Sequence, residues 1–329
     1  MADPPELPNA PPVELPPVEP PSAGFILQLF VIPAVVVLVV ILVVTLFGTL
    51  AEGKRDTNQY LQEIRSENEN RRWRAATELA SLIQNDEKLA RDPVLLGKLT
   101  DLLAEELHRP GADPRVTEYL ALALGTFQTL ETASPSGQSD PLATLAEALA
   151  PERPAAVRNA AALSLSRQAA RQKEGLDDPE AIAALVRAAG ADDPALRQKA
   201  VYALGYCRSS SALATLRDRA TEDDDRLVRY NAAVSLARHG DPAARGVLRE
   251  ILSTEDLAQV LQGKTSSETE RRIAGAQLEA LWALRDSLRA DQPALARSLR
   301  ADIAKLSQSR LPDVRSEADA LLKNLPASP

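Results

Sequence analysis

The sequence is poor in the residues that most chemistries need. It has one cysteine, Cys207, and two histidines, His108 and His239. One cysteine excludes an intrachain disulfide, and no zinc-ligand spacing is present. Aromatic residues make up 3 % of the chain, and Gly occurs 14 times in 329 residues. β-Branched residues are scarce after residue 50. That mixture disfavours sheets and glycine-rich phosphate loops. Lys and Arg are absent before residue 50: all 38 follow it, together with all but four of the 46 acidic residues, leaving −4 on that part. Such a balance excludes the strong positive field that nucleic-acid binding uses. Ala, Leu, Arg, Glu and Asp dominate what remains, which favours helices.

Two segments stand apart at the N-terminus. The first 21 residues hold nine prolines. Proline fixes φ and removes a donor, so residues 1–23 are expected as an extended, disordered arm. Phe25 to Leu50 then runs without a charged residue. As a helix it would measure about 39 Å, against a hydrocarbon core of about 30 Å. The flank lacks the positive residues of a signal peptide, and the apolar run is longer than one. Residues 24–50 are therefore expected to form a retained single-pass transmembrane helix. Lys54, Arg55, Arg65, Arg71, Arg72 and Arg74 follow it, which predicts the N-terminus outside and the later domain cytoplasmic. Residues 51–67 read as a polar linker or exposed helix.

A phrase then repeats: Asp-Pro-x-Val-Arg-x-x-Ala-Ala-x-Ala-Leu-Gly, with variations. Asp193-Pro194 through Arg197 to Gly205 is the clearest copy, and Asp113-Pro114 through Val116 to Gly125 is another. Asp225 opens a copy with Val228 and Arg229, and Pro154 one with Val157 and Arg158. Degenerate copies start near Arg71 and at Pro312, the latter with Arg315. The steps between Val116, Val157, Leu196 and Val228 are 41, 39 and 32 residues, which suits a two-helix repeat with variable loops. Asp is expected as N-cap and Pro as the first helical residue. Leu196, Ala200 and Leu204 fall on one helix face. Gly125, Gly205 and Gly240 are expected in the left-handed C-terminal conformation. The phrase helix is expected to come first in each pair. A second helix would follow, as at Asp241-Pro242. Stacked pairs form a continuous core that one pair cannot.

The phrase and its punctuation resemble HEAT repeats of the short, phycobilisome-lyase-like type, over about residues 68–325, with a tail at 326–329. The resemblance implies an all-α solenoid of roughly six to seven helix pairs that binds a partner protein. It further implies a polar ladder of Asp and Arg through Arg158, Arg197, Arg229 and Arg315, with a structural role. No catalytic, cofactor or metal site is expected, and the membrane-associated protein partner is unspecified. The resemblance offers one alternative, a bilin-lyase-like enzyme or a chaperone related to one. A nucleic-acid-binding solenoid is another, set against the charge balance. The histidines read as helix-end residues, Cys207 as a small, partly buried loop residue, and the acidic run Glu222–Asp225 as a solvated turn. Trp73 is expected in the core, with Trp73→Ala costing about 3–5 kcal/mol.

Overall fold

The computed structural model describes residues 24, 27, 32–43, 57–133, 140–172 and 175–326. It divides into two units, Met1–Asp56 and Thr57–Pro329. In the first unit the described residues are helical, and the helix over 32–43, α1, is exposed along its length. Leu38 and Ile41 are 63 % and 57 % exposed. The remainder of the expected span, and the proline-rich arm before residue 24, lie outside the described residues. Among the described residues no helix is long and apolar enough to cross a membrane.

The second unit is built of helices and short turns, with no strand among its described residues. Its elements are α2 (Thr57–Ile64), α3 (Glu69–Asn85), α4 (Glu87–Ala90), α5 (Pro93–His108), α6 (Pro114–Leu124), α7 (Pro141–Ala148), α8 (Ala155–Arg171) and α9 (Pro179–Ala188). Then come α10 (Pro194–Leu204), α11 (Ser210–Glu222), α12 (Arg226–Arg238), a 3-10 turn (Pro242–Ala244), α13 (Arg245–Leu252) and α14 (Thr254–Val260). The chain ends in α15 (Ser266–Arg289), α16 (Ala294–Ser298), α17 (Arg300–Leu306) and α18 (Pro312–Asn324).

These helices form two rows. The phrase helices α3, α6, α8, α10, α12, α15 and α18 pack one on the next. The intervening helices α5, α7, α9 and α11 make the second row, continued by α13 and α17. Between the rows, α5 packs on α6, α7 on α8, α9 on α10 and α17 on α18. The phrase helix thus closes its pair, the reverse of the order expected from the sequence. Around α8, α10 and α12 the connections are of similar length on both sides, which hid this order.

The apolar stripe lies between the rows. Val116, Leu120 and Leu124 are buried, as are Leu196, Ala200 and Leu204, and Val228, Ala232 and Leu236. The stack starts earlier than expected. Within 51–67, residues 51–56 lie outside the described residues, but α2 packs on α3 and buries Tyr60, Leu61 and Ile64. Polar neighbours in the sequence concealed that three-residue stripe. Trp73 lies at the margin of the core, half-buried, with the Arg74 and Arg115 guanidinium carbons 5.8 and 5.6 Å from its ring. Its truncation removes less buried surface than a core tryptophan would, so the cost falls to about 1–2 kcal/mol.

Candidate interaction surface

The phrase helices present two edges, one at their N-termini and one at their C-termini. At the N-terminal edge the aspartates cap as the sequence predicts. Asp113 accepts from the Arg115 amide, Asp193 from that of Ala195 and Asp225 from that of Val228, at 2.9 Å each. Pro114 and Pro194 open their helices. Pro154 supplies no side-chain cap to α8.

The arginines four residues after the cap position do different things. Arg197 is buried and forks onto Asp223, with Nε to Oδ2 at 2.9 Å and Nη2 to Oδ1 at 2.8 Å. Its Nη1 donates to the carbonyls of Ala191 and Asp192, both at 2.9 Å. Arg229 and Arg315 only fold back onto their own loops, donating to the Asp223 and Ser309 carbonyls. The buried Nε of Arg158 has no hydrogen-bond partner. The sequence reading missed Arg72, four residues after the Asn68 cap. It is buried, donates to the Ile64 carbonyl at 2.8 Å, and pairs with fully buried Glu106 at 2.5 Å. Glu106 lies in the last turn of α5, and Asp223 is the C-cap of α11. A phrase arginine therefore finds a carboxylate only where the next repeat's first helix ends in one. Helix α9 ends in Arg187 and Ala188, with Ala189 as its C-cap, which leaves Arg158 without a carboxylate among the described residues.

The next residue along continues the edge. Asn159 donates to Asp193 at 2.9 Å, and Gln198 to Asp225 at 3.3 Å. The Asn159 amide beside Asp193 holds its carboxyl below the usual carboxylate range. Burial works to raise the Asp223 carboxyl, but Arg197, the Asp225 amide and Arg219 together hold it low. The acidic run is therefore more than a solvated turn, because Asp223 is 4 % exposed and fully engaged.

The C-terminal edge runs on donors to carbonyls. Ser164 donates to the Ala121 carbonyl at 2.7 Å, and Ser235 to that of Val201 at 3.0 Å. Arg171 Nη1 reaches the Gly125 and Phe127 carbonyls at 2.7 and 2.9 Å. His239 Nε2 meets the Gly205 carbonyl at 2.9 Å. A carbonyl only accepts, so that nitrogen carries the proton and Nδ1 is bare in the neutral ring. Burial pushes the His239 pKa below its ordinary value, despite the bond to Gly205.

These contacts correct the reading of the glycines. Gly125 and Gly205 are right-handed, with φ of −69° and −62°. They are glycines because the next phrase helix approaches too closely for a side chain. A Cβ on Gly125 would stand 2.7 Å from Ser164 Cα, and one on Gly205 2.6 Å from Ser235 Cβ. Only Gly240 of the three is left-handed, with φ of 64°. Cys207 is fully buried, and burial pushes its thiol up to about 12, which makes it inert rather than reactive. His108 is exposed at the end of α5, with Nδ1 2.9 Å from the Ala104 carbonyl.

Along this edge the ends of α8, α10, α12 and α15 enclose a groove of about 680 Å³. Gln172, Tyr206, Arg208, Arg238, His239 and Asp286 line it. The Arg238 guanidinium carbon lies 5.2 and 4.6 Å from the Tyr202 and Tyr206 ring centroids, a cation–π arrangement. The two phenol oxygens are 3.1 Å apart.

A model of HEAT repeats matches residues 143–237 and 182–267. No curated protein matches the chain. Among solved structures, the complex of CpcE and CpcF of phycocyanin lyase from Nostoc sp. PCC7120 is 17 % identical, covering 83 % of this chain and 95 % of that one, with a TM-score of 0.46. A designed armadillo repeat protein is 15 % identical, covering 82 % of this chain and all of its own, with a TM-score of 0.37. Human deoxyhypusine hydroxylase in complex with glycerol is 16 % identical over 84 % of this chain and 98 % of its own, with a TM-score of 0.28. The family match starts inside α7, takes in the α7/α8, α9/α10 and α11/α12 pairs, and ends near the start of α15, so over this stretch the chain is similar to HEAT repeats.

Proposed function

We propose that this chain is a membrane-tethered scaffold whose repeat domain holds a partner protein and performs no catalysis of its own. The observation that carries the reading is the continuous double row of helices from α2 to α18. Such a stack presents long edges and faces to a partner while its side chains are spent on packing. The ionisable groups within it serve that packing: Asp223 grips Arg197, Glu106 grips Arg72, and His239 is tied to a carbonyl. The phrase aspartates and arginines, Asp113, Asp193, Arg197, Arg229 and Arg315 among them, are structural in this reading.

The tether rests on the uncharged run Phe25–Leu50, of which residues 32–43 form an exposed apolar helix. An exposed apolar surface of that kind marks a lipid or protein contact. The cations after residue 50 orient the N-terminus outside and the repeats in the cytoplasm. Anchoring would raise the effective concentration of the repeats toward membrane-bound partners.

Two measurements test this. Under alkaline carbonate extraction the full chain stays with the membrane pellet, and a form lacking residues 24–50 is released; release of the full chain ends the tether. Proximity labelling from the anchored chain enriches a reproducible set of membrane-associated proteins on the repeat-domain side; an empty set ends the scaffold.

A further inference from the structure

The second row of helices carries an excess of negative charge. Residues 140–153 and 177–192, which hold α7, α9 and their flanks, contain seven carboxylates against Arg153 and Arg187. Even with Arg208, which borders Asp177 and Asp178 in one cleft, the balance is seven to three. That difference equals the whole −4 carried after residue 50. Some of these groups are engaged. Arg153 Nη2 donates to Glu147 at 2.6 Å, and His108 Nε2 stands 3.4 Å from the same carboxylate. Asp140 and Asp178 cap α7 and α9. Glu152, Glu180 and Asp192 are exposed, and no ion pair joins them to a described residue.

Where α5, α7 and α9 pack side by side, this face holds a groove of about 620 Å³. Its floor is alanine: Ala104 from α5, Ala143 and Ala146 from α7, Ala150 just after it, and Ala183 from α9. Asp140, Glu147 and Glu180 stand around that floor, and Arg187 is the one cation among the lining residues. Thr144 also lines it, but spends its hydroxyl on the Asp140 carbonyl at 2.8 Å. The lining therefore has no amide or free hydroxyl side chain to offer an extended backbone. A helix brings its own backbone hydrogen bonds, and alanines let two helices approach to about 8 Å. Carboxylates around a trough of small residues are complementary to a helix with cations beside a small-residue seam.

We propose that this groove is the docking site for a basic helix of a partner protein. Small side chains of that helix lie on the alanine floor. Its lysines or arginines reach Asp140 and Glu180, the two lining carboxylates that hold no ion pair with a described residue. The proposal rests on the scaffold reading, since it names the chemistry of the scaffold's partner, and it places that partner on the row opposite the phrase helices.

The experiment uses the full-length chain in uncharged detergent micelles and three labelled peptides, followed by fluorescence anisotropy at low salt. They are (Ala-Ala-Lys-Ala)4, its glutamine analogue (Ala-Ala-Gln-Ala)4, and a form of the lysine peptide with proline at two central alanines. The lysine peptide binds, and the glutamine and proline peptides bind at least about tenfold more weakly. Asp140→Asn combined with Glu180→Gln lowers the affinity for the lysine peptide by about tenfold, and 0.3 M salt does the same. Asparagine still caps α7, so the fold tolerates the pair. Ala183→Arg, at an exposed position of α9, obstructs the floor and lowers the affinity by about the same factor. Glu255→Gln on α14 leaves binding unaltered. No binding of the lysine peptide, equal binding of the glutamine or the proline peptide, or indifference to the groove variants overturns the proposal. If labelling of the intact protein still recovers partners, and the Asp140→Asn, Glu180→Gln pair leaves them all in place, the scaffold stands and only this docking site falls.

Discussion

The two edges of the phrase helices solve one problem in opposite ways. At the N-terminal edge, free amides need acceptors, and carboxylates supply them. The links between repeats there are pairs of side chains: Asn159 with Asp193, Arg197 with Asp223, Arg72 with Glu106. In each, the earlier repeat donates to the later. At the C-terminal edge, free carbonyls need donors. The links run from a side chain of the later repeat to the backbone of the earlier one, as from Ser164 to Ala121 and His239 to Gly205. Both patterns follow from the orphan groups at helix ends and from the direction of the helix dipole. The difference teaches where the stack is fragile. A pair of buried charges fails badly when one partner goes, whereas a hydroxyl on a carbonyl fails gently.

The largest expected effect breaks the N-terminal edge. Glu106→Ala leaves Arg72 buried without its carboxylate and costs about 3–5 kcal/mol. Asp223→Ala removes the buried fork from Arg197 but leaves it the exposed Asp224 carboxylate at 2.6 Å, so it costs less, about 2–3 kcal/mol. Urea denaturation of the purified protein measures both; a loss below about 1 kcal/mol would mean that water replaces the carboxylates freely. Next comes the close approach at the other edge. Gly205→Ala costs about 1–3 kcal/mol by overpacking, and adding Ser235→Gly recovers much of it. A left-handed requirement at Gly205 would give no such recovery, so the double mutant separates the two explanations.

A gain is expected where the N-terminal edge is incomplete. Ala191 stands two residues before the Asp193 cap, as Asp223 stands before Asp225. Ala191→Asp should give Arg158 the carboxylate that it lacks and raise stability by about 0.5–1 kcal/mol in a thermal melt. An unchanged melt would show that Arg158 does not reach that position. The smallest effect is a titration at the C-terminal edge. The folded pKa of His239 lies below its ordinary 6.5, so the unfolded chain binds the proton more readily. Its contribution is present above about pH 6.5 and is lost as pH falls from there toward the lowered value. His239→Gln should flatten that part of the stability profile, and an identical slope in both proteins would remove His239 as its source.

The N-terminal edge was largely legible in the sequence because its signals are local. An aspartate before a proline caps the helix it opens, so Asp113 and Asp193 declared themselves, while Asp225, followed by Arg226, was legible from its place in the phrase. The arginine ladder was legible only as a position. Whether Arg158, Arg197 or Arg229 finds a carboxylate depends on how another helix ends some thirty residues away, and Arg72 escaped because its copy lacks the Asp-Pro signal. At the C-terminal edge the glycines were visible and their reason was not. The residues that crowd Gly125 and Gly205 lie 39 and 30 positions downstream. A signal was there: copies ending in Gly alternate with copies carrying Ser ten residues after the cap position, Ser164 and Ser235. Pair order was illegible for a simpler reason, since an amphipathic helix has the same apolar stripe whichever neighbour it closes against. The span Phe25–Leu50 rests on hydropathy alone.

The backward-running donors carry a consequence for how such an array grows. Every helix end offers carbonyls regardless of its sequence, so a copied repeat needs only its own serine or cation to seal onto whatever precedes it. The forward links demand that two side chains from different copies match. Duplication and insertion of repeats are therefore cheap at one margin of the stack and selective at the other, and an unmated arginine such as Arg158 is the mark that an imperfect splice would leave.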